Sequence, residues 1–165
     1  MHLLDKRLHT AATFAGKYIP VRIRGETYGI RGDRIRAQAG MNEVLARQDL
    51  PDQVAGFITR RGRLIPVLDL QRSLAGGSVP PMEIKVLVVQ VRSAGHPELP
   101  VGLCVDEVGE PILVEAADIQ VKSHYLHGSD ELPCLAIVRG RIKALLDLDA
   151  IVEQALFRTG AGAVP

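Results

Sequence analysis

Tryptophan is absent from this 165-residue chain, and three tyrosines with three phenylalanines bring the aromatic share to only 4%. Nucleic-acid surfaces usually pair basic loops with aromatic platforms, so this scarcity counts against that class. Two cysteines cannot build a disulfide framework, and they suit a reducing compartment. No apolar run approaches the ~18 residues a helix needs to cross a bilayer. The segment Met1-His2-Leu3-Leu4-Asp5-Lys6-Arg7 breaks into charge before a signal-peptide core could form. These absences predict a soluble cytoplasmic protein without membrane insertion.

Hydrophobic residues make up 47% of the chain, ample for a packed core and incompatible with intrinsic disorder. The length allows one ordinary domain or two very small ones. A net charge of +1 conceals an asymmetry. Through residue 75 there are 13 Lys and Arg against 7 Asp and Glu, or +6, and from residue 76 there are 7 against 12, or −5. Two faces for different partners, or head-to-tail association, would use such a split, although drifting composition would also produce it.

Short strands dominate the pattern. Ile19, Val21 and Ile23 alternate with Pro20, Arg22 and Arg24, and Pro20 suggests an edge strand. Denser apolar stretches at 64–70, 84–91, 99–105 and 142–148 read as further strands. Gly25, Gly32, Gly62, Gly95 and Gly140 mark turns where positive φ is expected. Residues 38–53 read as loop with one helical turn near Val44 and Leu45, and 71–83 read as a linker. Asp149 is a candidate cap for a terminal helix with Ile151, Val152, Ala155 and Leu156 on one face. Residues 1–16 read either as a helix or as a loose tail.

An internal repeat is the most informative feature. Arg61-Gly62-Arg63-Leu64-Ile65-Pro66-Val67-Leu68-Asp69-Leu70 aligns without gaps on Arg139-Gly140-Arg141-Ile142-Lys143-Ala144-Leu145-Leu146-Asp147-Leu148. Upstream, Tyr28-Gly29-Ile30 with Asp33 and Ile35 matches Val101-Gly102-Leu103 with Asp106 and Val108. The same order in both halves predicts two related small barrels, all-β with a short C-terminal helix, which closure protects from edge aggregation. In each repeat, Arg-Gly-Arg supplies a tight turn, and the strand after it ends at an Asp able to cap the next turn or helix.

Catalytic and metal chemistry finds no foothold. The two aspartates lie in Leu-Asp-Leu rather than in the exposed loop an aspartic dyad requires. His124, His127, Cys134 and Cys104 lack zinc-ligand spacing, and Cys104 reads as core. No phosphate-binding glycine loop is present. No enzyme activity, cofactor or metal is expected. Arg60, Arg61 and Arg63 form the sharpest basic cluster, suited to an acidic protein patch, with single-stranded nucleic acid as the alternative.

The stretch from Gly56 to Leu70, Gly56-Phe57-Ile58-Thr59-Arg60-Arg61-Gly62-Arg63-Leu64-Ile65-Pro66-Val67-Leu68-Asp69-Leu70, resembles the signature of the CheW family, a Gly-Val-x-x-x-Arg-Gly turn before a Φ-Pro-Val-Φ-Asp-Leu strand. Val101-Gly102-Leu103-Cys104-Val105-Asp106-Glu107-Val108 is similar to its second hallmark, and Leu145-Leu146-Asp147-Leu148-Asp149 to its closing strand. The resemblance spans about residues 18–157. It implies two intertwined five-stranded barrels of the Src-homology-3 type, near 18–75 and 84–157, with strand exchange between them open. Residues 1–17 would be an extension and 158–165 a frayed tail.

The resemblance also implies a non-catalytic adaptor coupling chemoreceptor cytoplasmic tips to the regulatory domain of the CheA-type histidine kinase, within membrane-associated arrays. It places a receptor-facing surface at Ile35, Ala37, Arg60, Arg61, Gly62 and Lys85, and a kinase-facing surface at Gly102, Val105, Asp106 and Glu110. Val105 and Leu103 could equally be core, since alternate strand residues face inward. The chain departs from the family pattern in several places: Thr59-Arg60 replaces Asn-Leu before the turn, the acidic residue near Ala37-Gln38 is lost, Pro111 follows Glu110, Cys134 replaces glycine before the last hairpin, and Lys85 opens a strand commonly apolar there. Such changes fit a pilus-type or other non-flagellar system.

Overall fold

Twelve strands dominate the computed structural model, which describes residues 11–70, 84–93, 95–120 and 132–158. The expected linker at 71–83, His124, His127 and the expected tail beyond 158 lie outside the described residues, as do residues 1–10. In chain order the strands are β1 (Gly16–Ile23), β2 (Glu26–Arg31), β3 (Ile35–Gly40), β4 (Val54–Arg60), β5 (Arg63–Leu68), β6 (Lys85–Ser93), β7 (His96–Val105), β8 (Glu107–Val108), β9 (Ile112–Val114), β10 (Ile119–Gln120), β11 (Cys134–Val138) and β12 (Ala144–Leu146). Helix α1 (Leu148–Val152) comes next and continues as wider π-type turns over Glu153–Arg158.

The strands form two curled sheets, the two Src-homology-3-like barrels, and neither sheet follows one half of the sequence. The seven-stranded sheet runs β10-β11-β12-β2-β1-β8, with β9 also on β1. The five-stranded sheet runs β3-β6-β7-β5-β4. Each barrel thus takes its β1–β2 or β6–β7 hairpin from one repeat and its closing strands from the other. The joints are equivalent: Val67 pairs with Gly102 in parallel register, and Leu145 pairs with Gly29. Both glycines belong to the upstream repeat motif, and Val67 and Leu145 occupy the same place in the downstream one.

Alternation along these strands divides the apolar residues among three cores. Val86, Val88, Val67 and Cys104 fill the five-stranded barrel, and Tyr18, Val138, Ile142 and Leu145 fill the other. The opposite faces, with Ile30, Leu68, Leu87, Leu103 and Leu146, meet in a shared seam between the barrels. Strands buried on both sides read as continuous apolar runs, which is why 84–91 and 99–105 stand out in the sequence. Full burial of a Leu or Val side chain contributes ~1.5–3 kcal/mol, so the seam is a major stabilising element.

Several local expectations need correction. Strand β1 is not an edge: β2 pairs on one side, β8 and β9 on the other. Pro20 falls between the β8 and β9 ladders, where no N–H is required, and its carbonyl accepts from the Gly109 amide at 2.8 Å. Gly32 lies in a 3-10 turn rather than at positive φ. Residues Gln38–Gly40 belong to β3, and a 3-10 turn forms at Met41–Glu43 rather than around Val44 and Leu45. The helix cap is Asp147, which accepts from the Ala150 amide at 3.1 Å, and not Asp149. Near the other end of the described chain, residues 11–14 form a helical turn, and the Tyr18 hydroxyl donates to the Phe14 carbonyl.

Candidate partner-binding surfaces

The six residues of the expected receptor-facing surface all lie on the five-stranded sheet. Ile35 and Ala37 flank a bulge on β3, with Ile35 half-buried against the seam and Ala37 exposed. Arg61 and Gly62 form the tip of the β4–β5 hairpin, both with positive φ (51° and 77°), the signature of a tight two-residue turn. Arg60 is half-buried and salt-bridged to Glu43 at 2.8 Å. The other Glu43 oxygen accepts from the Gly40 amide at 3.0 Å, and Gly40 is the register partner of Lys85. One carboxylate therefore ties Arg60 to the end of β3 beside Lys85. The Gly40 amide bond, followed by the Arg60 guanidinium, holds the Glu43 carboxyl below its usual range.

Beside these residues lies an apolar strip that sequence reasoning missed. Leu45 and Leu64 are 58% and 52% exposed, and Leu45 bridges Phe57, over whose ring the Arg47 guanidinium sits at 5.5 Å. Phe57 pairs with Pro66 and Thr59 with Leu64, so the outward face of the hairpin is apolar and its tip basic. Exposed leucines in strand-like stretches carry no sequence label distinguishing them from core leucines, which is why this strip escaped notice.

The expected kinase-facing residues separate. Gly102 and Val105 are buried, Val105 completely in the seam. Asp106 is half-buried and accepts from the Arg24 amide at 3.1 Å, steadying the β1–β2 turn. Glu110 is exposed. On the seven-stranded barrel, Leu113 is 66% exposed and lines a groove of about 250 Å³ together with Ile112, Val138 and Ile142. Arg139 and Arg141, the repeat counterparts of Arg61 and Arg63, also line it, as does Asp118. Each barrel therefore presents an exposed leucine beside the arginines of its repeat turn.

Among the described residues, no group of three His, Cys, Asp or Glu side chains could hold a metal ion. Cys104 is buried, with its sulfur 3.7 Å from that of Met41, and Cys134 bonds the Leu132 carbonyl. No described helix is long and apolar enough to cross a membrane.

Comparison with known proteins agrees with this architecture. The scaffolding protein TtCheW from Thermoanaerobacter tengcongensis superposes with a TM-score of 0.70 at 21% identity, covering 85% of this chain and 94% of that one. No curated protein matches. The model of the CheW-like domain matches residues 17–156, spanning both barrels and the reciprocal joints at Gly29 and Gly102, and the chain accordingly belongs to the CheW-like domain family.

Proposed function

We propose that this protein is a non-catalytic, cytoplasmic chemosensory adaptor, coupling the tips of methyl-accepting receptors to the regulatory domain of a CheA-type histidine kinase. The observation that carries this reading is the exposed leucine with neighbouring arginines on each barrel, Leu64 on one and Leu113 on the other, joined through a single buried seam. An adaptor needs two docking faces held in fixed relation, and a seam of interdigitated strands supplies that rigidity without an active site. The receptor would meet the β3 edge and the β4–β5 tip, at Ile35, Ala37, Arg60, Arg61, Gly62 and Lys85. The kinase would meet the other barrel near Asp106 and Glu110, while Gly102 and Val105, on β7 of the five-stranded sheet, would act only through the strand that leads into Asp106. The substitutions around Ala37 and Thr59 favour a receptor from a pilus-type or other non-flagellar system. Individually modest contacts gain strength when repeated through an array.

The nucleic-acid alternative is weakened by the site itself. Arg60 is committed to Glu43, and the nearby Phe57 ring is covered by Arg47. The test is Arg61→Glu, assayed by pull-down with a receptor cytoplasmic fragment and with a kinase regulatory domain. The reading expects an unchanged thermal transition and lost receptor capture. Unchanged capture removes Arg61 from the interface, and salt-sensitive binding of single-stranded oligonucleotides by the wild type would favour the alternative.

A further inference from the structure

Helix α1 leaves the seven-stranded barrel through β12 and packs on β6 of the five-stranded one. Leu148, Ile151, Val152 and Ala155 are buried in the shared seam. Apolar burial holds the helix there, but it is non-directional and does not by itself fix the helix along the seam. Direction comes from Asp149. Its carboxylate accepts from Arg34 Nη1 at 3.1 Å, from Arg34 Nη2 at 3.4 Å and from the Arg92 amide at 2.8 Å. Arg34 Nη1 also donates to the Gln90 carbonyl at 3.1 Å. Arg34 closes the 3-10 turn immediately before β3, and Gln90 and Arg92 lie on β6. One pair of side chains thus joins the helix, a central strand and the root of a terminal strand. A two-pronged guanidinium–carboxylate contact sets orientation as well as distance, and burial of roughly two-thirds of each side chain limits screening (29% and 37% exposed).

Strand β3 has need of such an anchor. It ends the five-stranded sheet order, it is bulged between Ile35 and Ala37, and of its six residues only Ala39 is buried. Beyond the β6 ladder, its far end is held by the Gly40 bond to Glu43 and by Ala39, whereas its start has Ile35 on the seam and the polar tie through Arg34. We propose that Arg34 and Asp149 are a positioning pair that locks the β3 edge to α1, holding Ile35 and Ala37 where a docking partner meets them. The lock stands on the geometry alone; the identity of that partner as a receptor rests on the function proposed above.

Hydrogen exchange on the intact chain tests the lock. Asp149→Asn keeps an oxygen for the Arg92 amide while removing the charge, and Arg34→Gln removes the guanidinium without touching the helix cap. Each variant raises exchange at the hydrogen-bonded β3 amides about tenfold, with the β4–β5 hairpin unchanged. The double variant exchanges no faster than Arg34→Gln alone, because that substitution already removes the ion pair with Asp149 along with the Gln90 bond. Unchanged β3 exchange, or an equal rise across β4 and β5, overturns the proposal. On the same proteins, affinity for a receptor cytoplasmic fragment falls several-fold while affinity for a kinase regulatory domain holds, and equal loss of both overturns the assignment to the β3 edge. Failure of the wild-type chain to bind the receptor fragment defeats the receptor reading, while the exchange result still decides the lock.

Discussion

Gly102 lies so close to Val67 that a Cβ on it would sit 3.0 Å from Val67 Cγ2 and 2.8 Å from Val86 Cγ1. Its repeat counterpart, Gly29, would place a Cβ 3.0 Å from Leu145 Cδ2 and 3.1 Å from Ile142 Cδ1. The glycine in each upstream motif makes room for the closing strand donated by the other half. Both contacts lie in the barrel interiors, where the missing side chains leave room for the crossed strands to pack at these two joints.

This asymmetry in neighbours separates the two sites. Gly102→Ala presses on β-branched valines that cannot swing aside, and a cost of about 2–3 kcal/mol is expected. Gly29→Ala presses on the far ends of Leu145 and Ile142, which can shift, and a cost nearer 1 kcal/mol is expected. Urea denaturation of both variants checks the order. Val67→Ala should recover part of the Gly102→Ala loss, and strict additivity would contradict the packing argument.

Gly56 is expected to be less tolerant still. Its φ of 157° is unfavourable for other residues, and a Cβ there would collide with the Leu45 carbonyl and approach Val44 Cγ1 to 2.9 Å. Gly56→Ala should therefore cost about 3 kcal/mol and disrupt the Leu45–Phe57 bridge. A midpoint equal to wild type would show that the loop can move away freely.

Removing the cap of α1 tests a smaller effect. Asp147→Ala deletes the bond to the Ala150 amide, for an expected loss of about 1 kcal/mol with faster exchange in the first turn of the helix.

Titration of Glu43 has a definite sign. Its folded pKa is lowered, so the Arg60 and Gly40 contacts stabilise the fold above the ordinary carboxylate pKa and are lost as pH falls through the folded value. Carboxyl chemical shifts should place the Glu43 midpoint below that of a free glutamate. In Arg60→Ala the midpoint should rise yet stay low, because the Gly40 amide is the larger cause. A free-glutamate midpoint in the wild type would mean that neither bond persists in solution.

The exposed strip on the five-stranded barrel should separate folding from binding. Leu64→Ser removes a side chain already half in water, so stability should change by no more than about 0.5 kcal/mol. Capture of the partner that uses this strip should fall several-fold in the pull-down, whereas full capture would place the interface elsewhere.

Legibility in the sequence tracked burial on both faces. β6 and β7 announced themselves because alternate residues fill a barrel and the seam. β3 did not, since Arg36, Ala37 and Gln38 all face solvent and leave no alternation to read. Among the residues read as partner-facing, Arg61 and Glu110 are exposed, whereas Gly102 and Val105 are interior. A motif marks both packing and recognition with the same letters, and only position in the fold separates them.

By itself the sequence determined that there are two related β units, that each repeats a glycine motif and a closing strand, and that their charges differ. Those properties are local, carried by periodicity and by residues adjacent in the chain. Tertiary structure alone decided that the closing strands change places, that Gly29 meets Leu145 and Gly102 meets Val67, and that Asp149 reaches Arg34. The two halves have similar strands, so pairing within a half or across halves looks alike locally. The choice rests on contacts between residues far apart in the chain, among them Leu68 beside Leu103 in the seam and Gly29 beneath Leu145 in the seven-stranded barrel, which exist only once the sheets are packed.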